Sequence, residues 1–578
     1  MFRASRVFSH CASLCAALAL LPLVSLAAVA QTIPDPEFLK DAAETQNYRL
    51  GRPVGLKFTS DGRQLFFLRS GARDATRRLY VFDTATAATH ELVTPEALLA
   101  GAEETLSREE KARRERLRLT AKGFSSFDLS HDGKTLTLPL SGKLFAFDID
   151  SGRTRLLDDG NRPILDARLS PDGKRVAFVR DYDLYVRELA SGRETRLTYG
   201  GSETLQHGLA EFVAQEEMAR FEGYWWSPDS QSIAFEEADH RGLERFSIAD
   251  PAKPAQPAES FYYPRPGKTN ARVRLGLVSV KGSRPRWLHW DAVQFPYLVR
   301  VEWQNPRSPL TLIVETRDQR QQQILAADAK GNTRMLLAQQ DRAWLDPIYT
   351  WLRWLPDGQH FLTASEASGV AGLELHDASG RDGRPVAGSS PLWDQPVLLD
   401  SGAVLAVATP TPTESEVRRL TTAESPGVPR TILAAGLGDR SVVAASGSGH
   451  YAITESTLNA MPVTTVYAPD GHKIGVLPSV AEQPRAWPKP ELGWLDMGHD
   501  RFYYAIVKPR NFNPRKRYPV IDSVYGGPTS NMVTARALDY LRDQWLADHG
   551  AIVVRIDNRG TPRRNRDWAR AFKDADGQ

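Results

Sequence analysis

One local pattern returns between about residue 48 and residue 480: a Ser/Pro-Asp-Gly turn, a short strand rich in apolar residues, a second turn and another strand. The turns are Ser60-Asp61-Gly62, His131-Asp132-Gly133, Pro171-Asp172-Gly173, Pro228-Asp229-Ser230, Pro356-Asp357-Gly358 and Pro469-Asp470-Gly471. Pro presets φ, Asp bonds its own backbone and Gly accepts positive φ, so each triplet reverses the chain tightly. Strands such as Gln64-Leu65-Phe66-Phe67-Leu68, Arg175-Val176-Ala177-Phe178-Val179 and Ser232-Ile233-Ala234-Phe235 follow. Short antiparallel strands repeated radially solve the exposed-edge problem as a β-propeller. The uneven spacing of the turns leaves the number of blades open, and a stacked β-sandwich array is the alternative.

Two segments interrupt the repeat. Ser107-Arg108-Glu109-Glu110 is a capping box that opens a charged helix through Arg118, expected to project from the first blades as a solvated helix with internal ion pairs. The Pro/Ala-rich stretch from Asp250 to Glu259 reads as an internal linker.

After about residue 485 the pattern changes. Tyr518–Tyr525 reads as a buried strand ending in Gly526-Gly527-Pro528. A helix over roughly Thr534–His549 follows, with Leu538, Leu541, Trp545 and Leu546 on one face and Gly550 as its stop. Ala551–Ile556 reads as a second buried strand. This is a βαβ unit and the start of a parallel sheet.

A chain of 578 residues, 41% hydrophobic and 25% charged, is too long for one core. Residues 1–30 read as a signal peptide: Arg3 and Arg6, an apolar run from Cys11 to Ala30, and Ala28-Val29-Ala30 as the cleavage motif. An uncleaved anchor is the rival, disfavoured by Pro22 and the Ala-x-Ala ending. A periplasmic or secreted protein with no stable membrane anchor after cleavage is expected. Both cysteines, Cys11 and Cys15, lie in this segment, so no disulfide is expected beyond it. Its two arginines account for part of the formal charge of +3, leaving about +1, too balanced for nucleic acid as a partner. No metal or other cofactor is expected, since the histidines are scattered without ligand spacing.

Phe212-Val213-Ala214-Gln215-Glu216-Glu217-Met218 is followed by Gly223-Tyr224-Trp225-Trp226-Ser227-Pro228-Asp229, then by Tyr262–Gly267, Tyr525-Gly526-Gly527-Pro528 and Asn558–Arg564. In this order the motifs resemble the prolyl oligopeptidase family of serine peptidases, and most closely its dipeptidyl peptidase IV branch, bacterial members especially. The resemblance implies a mostly-β fold, an N-terminal β-propeller of eight blades over residues 31–485 followed by the N-terminal part of an α/β-hydrolase domain over 486–578. It also implies release of N-terminal dipeptides, with proline preferred second, from peptides with a free N-terminus, and dimerisation through a full hydrolase domain.

The chemistry fits these residues. A protonated α-amine offers three N–H donors that two carboxylates brought to one point can share, and Glu216 and Glu217 are the candidates for that clamp. Neighbours on a strand face opposite ways, so convergence needs a helical or turn backbone from Glu211 to Arg220. An extended chain advances about 3.3 to 3.6 Å per residue, so a pinned amine places a fixed peptide bond at a nucleophile. Tyr525, at the end of a parallel-type strand, is the candidate oxyanion donor, as the matching tyrosine is in the family. A basic residue within Arg113–Arg118 is expected to orient the substrate carbonyl, without a choice among them.

Acyl transfer by this route also needs a Ser-His-Asp triad with serine on a Gly-x-Ser-x-Gly elbow. The sequence contains no such elbow; Ser446-Gly447-Ser448-Gly449-His450 is the nearest and reads as a propeller turn. The family's nucleophile, aspartate and histidine all follow the Asn-Arg-Gly loop, so the chain is expected to stop before them, with residues 574–578 departing from the family pattern as a frameshift would, and to be inactive alone. Three functions follow: an exopeptidase of dipeptidyl peptidase IV type seen as an N-terminal portion, a non-catalytic exported propeller that binds peptide N-termini, and a structural propeller.

Overall fold

The computed structural model describes residues 35–381, 383–386, 391–422, 430–431, 436–525, 527, 530–571 and 573. The expected signal at 1–30, the terminal residues 574–578 and two residues of the Gly526-Gly527-Pro528 turn lie outside the described residues.

Eight antiparallel sheets of four main strands follow one another in chain order, from Val54–Phe58 to Lys473–Val476. They are the blades of a propeller. Each blade is built from consecutive residues, so no strand is exchanged where the ring closes. The eighth blade instead packs on the first, with Ala452, Val466 and Leu477 against Leu65, Phe67 and Phe82, and Ser448 N–H donating to the Ser60 carbonyl at 3.1 Å.

The core is a ring of clusters between neighbouring blades, and strand periodicity explains it. Successive side chains point to opposite faces. Phe66 and Leu68 therefore pack with Leu136 and Leu138 of the second blade, while Leu65 and Phe67 pack on the eighth. Ala177 and Val179 meet Ile233 and Phe235 of the fourth blade, while Val176 and Phe178 meet Leu144 and Ala146 of the second. Strands buried on both faces read as nearly continuous apolar runs, as these do.

The expected turns join first to second strands in the first four blades and the sixth. Thr59, Ser130, Ser170 and Ser227 donate their hydroxyls to Asp61, Asp132, Asp172 and Asp229 at 2.5–2.6 Å. The position after the aspartate has positive φ, and at Ser230 (φ 61°) a serine takes it. The fifth and seventh blades use Asn305 and Ser401-Gly402 instead. Ser446–Gly449 is the equivalent turn of the eighth blade, whereas Pro469-Asp470-Gly471 comes later in that blade, between Val463–Tyr467 and Lys473–Val476.

Two expectations on the interrupting segments need correction. The helix Arg108–Arg116 does not project freely: Arg114 is buried, bonded to Glu104, Glu110 and the carbonyls of Ala121 and Gly123. Ser107 does cap it, accepting from Glu110 N–H at 3.1 Å, but the Glu110 carboxylate is held by Arg113 and Arg114. The Pro/Ala-rich stretch is the tip of an exposed hairpin, Glu244–Ile248 with Glu259–Tyr263, inserted in the fourth blade.

Beyond the propeller stands a four-stranded sheet. Val520–Asp522 and Ile552–Ile556 are its parallel pair, connected through the helix Leu541–Asp548, and the antiparallel hairpin Pro490–Met497/Asp500–Val507 completes it. The segment expected as a buried strand at Tyr518–Tyr525 is an exposed edge: Val520 is 63% and Val524 68% exposed. An apolar run is buried only where something covers it, and an edge strand has one free side. The helix expected over Thr534–His549 is a 3-10 turn, Ala537–Tyr540, followed by the α-helix, and its apolar residues split: Leu538, Leu541 and Trp545 pack against Phe38, Ala42 and Tyr48 of the N-terminal segment, whereas Leu546 joins Val553 under the sheet.

Candidate functional site

The first position of the fourth blade is split. Leu205–His207 and Tyr224–Trp226 both pair with Ser232–Asp239, and the sixteen residues between them leave the sheet as an excursion. Its neck is pinched shut. Leu209 bridges Glu222, Gly208 N–H donates to the Glu236 carbonyl at 2.8 Å, and Glu236 N–H donates to the Gly223 carbonyl at 2.8 Å. A Cβ on Gly223 would stand 2.3 Å from the Leu209 carbonyl carbon and 2.5 Å from Ala210 N, so only glycine allows the two ends to meet.

The excursion carries a short helix, Phe212–Glu217. Ala210, Ala214 and Met218 plug it into the apolar cluster between the fifth and sixth blades, beside Val299, Ile313 and Phe361. A helical backbone thus presents the adjacent Glu216 and Glu217 at its C-terminal end, the conformation that convergence requires. Phe212 packs edge-on against Tyr263 with ring centroids 5.0 Å apart, which brings the Tyr262–Gly267 motif to the helix.

The basic segment also meets this helix. The Arg116 and Arg118 guanidinium groups each come within 3.9 Å of Glu216, and Arg116 donates to Gln215 Oε1 at 3.3 Å while lying over the Phe212 ring. Arg113 and Arg114 are committed to Glu110 and Glu104. The two arginines partly balance the half-buried Glu216, while the exposed Glu217 has no charged partner among the described residues.

Two residues after Glu217, Ala219 lines a cavity of about 750 Å³ whose other walls include Trp344, Tyr349, Glu366, Arg563 and Arg570. The cavity lies between the propeller and the segment 560–570. Arg570 bridges them through Asp341 at 3.1 Å and Glu366 at 2.5 Å, as does Arg563 through Asp439 at 3.1 Å. Tyr525 is 44% exposed, lies outside the walls of this cavity, and folds its phenol over Gly527.

The model of the dipeptidyl peptidase IV N-terminal region matches residues 130–402, a span that holds the excursion and its helix. Over this span the chain matches the dipeptidyl peptidase IV family. The chain is 26% identical over 444 residues to a probable dipeptidyl peptidase 4 of Aspergillus flavus, covering 70% of this chain and 56% of that protein. It is 25% identical over 492 residues to a probable dipeptidyl-aminopeptidase B of Emericella nidulans, covering 75% and 52%. A crystal structure of Porphyromonas gingivalis dipeptidyl peptidase 4 superposes with a TM-score of 0.75 at 20% identity, over 92% of this chain and 75% of that one, and shares its fold. The chain spans about half the length of the curated relatives it matches.

Sequence reasoning missed the residues that hold the dipeptidyl peptidase IV-like Glu-Glu segment in place: Gly223 at the neck, Arg220 behind it and Glu211 at the start of the helix. Glycine before Tyr-Trp-Trp was the only signal in the sequence, and what it accommodates lies fourteen residues upstream.

Proposed function

We propose that this chain is the portion of an exported dipeptidyl peptidase IV-type exopeptidase that captures a substrate's free N-terminus. Glu216 and Glu217 hold the α-ammonium, and Arg116 orients the first carbonyl. The observation that carries this reading is the pair of adjacent carboxylates on a helix end, one beside two arginines and the other open to a cation. In the assembled enzyme an amine fixed here sets the dipeptide as the unit released, with proline favoured second, and Tyr525 serves the oxyanion. A signal peptide at residues 1–30 places the protein in the periplasm or outside the cell.

The same pair of carboxylates on a helix end would also serve a second reading, a propeller that binds peptide N-termini without turnover. Both readings share the clamp, so binding tests it. A tripeptide with a free amine should bind saturably and its N-acetylated counterpart at least tenfold more weakly, since acetylation removes the charge. Glu216→Gln and Glu217→Gln should each weaken free-amine binding about tenfold, the order of one charge-assisted hydrogen bond. Equal binding of the acetylated peptide would overturn the clamp. Release of a dipeptide from an Xaa-Pro tripeptide would then separate the enzyme from the binder.

A further inference from the structure

The helix that presents Glu216 and Glu217 is six residues long, and its first turn is held by an unusual cap. Glu211 folds back so that each carboxylate oxygen accepts one backbone N–H: Oε2 from Val213 and Oε1 from Ala214, both at 2.7 Å. The first N–H groups of a helix have no partner within it, so these two depend on Glu211. Caps are ordinarily the shorter Ser, Thr, Asp or Asn. Glu211 is itself buried, at 6% exposure.

Behind it the charges do not balance. Glu211 N–H donates to Glu236 Oε1 at 2.8 Å, and Glu236 is wholly buried on the central strand of the fourth blade. Arg220, from the segment after the helix, faces Glu236 at 2.6 Å, and its remaining donors go to the Leu298 and Glu222 carbonyls. Two buried carboxylates therefore share one guanidinium. Two further cations act on this group: Arg116, from the helix Arg108–Arg116, is within electrostatic reach of Glu211, and Arg300 of the fifth blade is within reach of Arg220.

We propose that Glu211 is a positioning residue for Glu216 and Glu217: ionised, it fastens the turn that sets their direction, and taking up one proton releases it. This rests on reading the pair as an amine clamp. Protonation turns one acceptor oxygen into a hydroxyl, so the two N–H groups no longer each meet a full acceptor. Burial, followed by repulsion from Glu236, raises Glu211 to about 7 against the pull of Arg220 and the two N–H groups. The switch therefore operates near neutral pH.

Two opposite signs follow. A carboxyl group whose folded pKa lies above its unfolded value contributes stability that is lost as pH rises, here between about 4.5 and 7. Charging Glu211 thus lowers the stability of the whole fold while it tightens the helix under the clamp. A residue with only a structural role would move both in the same direction.

The test is amide hydrogen exchange over residues 212–219, corrected for intrinsic rates and referenced to the strand Ser232–Asp239, with tripeptide affinity measured in parallel. In the wild-type chain, protection should rise about fivefold from pH 5.5 to pH 8, the size of a lost helix cap. In Glu211→Gln it should stay at the lower level throughout, and Glu211→Asp should restore the rise. Above pH 7, Glu211→Gln should leave the urea midpoint unchanged or raised. Its free-amine affinity should be about fivefold below wild type at pH 7.5 and equal to it at pH 5.5. Protection independent of pH in the wild type, or a Gln variant protected like it at pH 8, would overturn the proposal. If the wild type binds free-amine and acetylated peptides alike, the clamp fails, and Glu211 is judged on exchange alone.

Discussion

The propeller and the sheet that follows it treat the same kind of residue differently. In the fourth blade Ile233, Ala234 and Phe235 are fully buried, because each face of the blade has a neighbour in the ring. In the sheet of residues 490–556, Trp494, Leu495, Met497, Val520 and Val524 stand half or more exposed. Both regions are β-structure with good ladder hydrogen bonds; cover is what differs. A ring supplies cover to every blade from within, whereas this sheet has a helix, backed by the N-terminal segment, over one face and Trp568 against Phe502 on the other. The candidate clamp sits in the covered region and Tyr525 in the uncovered one.

Truncation of side chains breaks or confirms that contrast most directly. Phe235→Ala, between the third and fourth blades, should cost about 3–5 kcal/mol in urea unfolding, because a large cavity opens in a fully packed site. Val520→Ala should stay within about 0.5 kcal/mol. Comparable costs at the two positions would mean that Val520 is covered in solution.

The same contrast explains what the sequence made legible. Asp-Gly turns are visible because their function is local: a side chain bonds its own backbone and a glycine takes positive φ. The fifth and seventh blades were hidden because Asn305 and Ser401-Gly402 perform the turn in other letters. The sequence resembles eight blades by family, and eight are present, although spacing alone could not count them once the helix Arg108–Arg116 and the hairpin Glu244–Tyr263 had stretched it. The edge at Val520–Asp522 was misread since an apolar run carries no record of what lies over it. Within the site, the adjacency of Glu216 and Glu217 is written in the chain. Glu211 is not, because its character depends on Glu236, twenty-five residues away, and Arg116 is distinguished from Arg113 and Arg114 only by where its partners lie.

A smaller effect tests how firmly the site is held to the ring. His207, at the foot of the excursion, is buried between Asp183 of the third blade at 2.8 Å and Glu237 of the fourth at 3.1 Å. Burial opposes its charge, but the two carboxylates outweigh burial and hold it up at about 9. A histidine raised above its unfolded value of 6.5 contributes stability that is complete below that pH and lost as pH rises through 9. The urea midpoint should therefore fall between pH 6.5 and pH 9.5, and His207→Gln should remove that pH-dependent part of the decline. An unchanged slope in the variant would mean that Asp183 and Glu237 do not hold His207 charged in solution.

The smallest effect is expected where a serine most resembles a nucleophile. Ser448 lies in Ser446-Gly447-Ser448-Gly449, and its hydroxyl is within 2.8 Å of Ser446 Oγ and 3.1 Å of His450 Nδ1. A serine–histidine contact invites a catalytic reading, but the surroundings argue against it. The turn joins Asp439–Ala445 to Tyr451–Ser456 at the seam of the ring, where Ser446 accepts from His450 N–H at 3.0 Å and Ser448 N–H closes onto Ser60. No carboxylate orients His450 by a hydrogen bond among the described residues, and burial lowers its pKa, so it lacks the partner that makes imidazole an effective base. Ser448→Ala should shift the urea midpoint by an amount equivalent to less than about 0.5 kcal/mol and leave free-amine peptide binding unchanged. Loss of binding in this variant would move the functional centre from the Glu216 helix to the seam between the first and last blades.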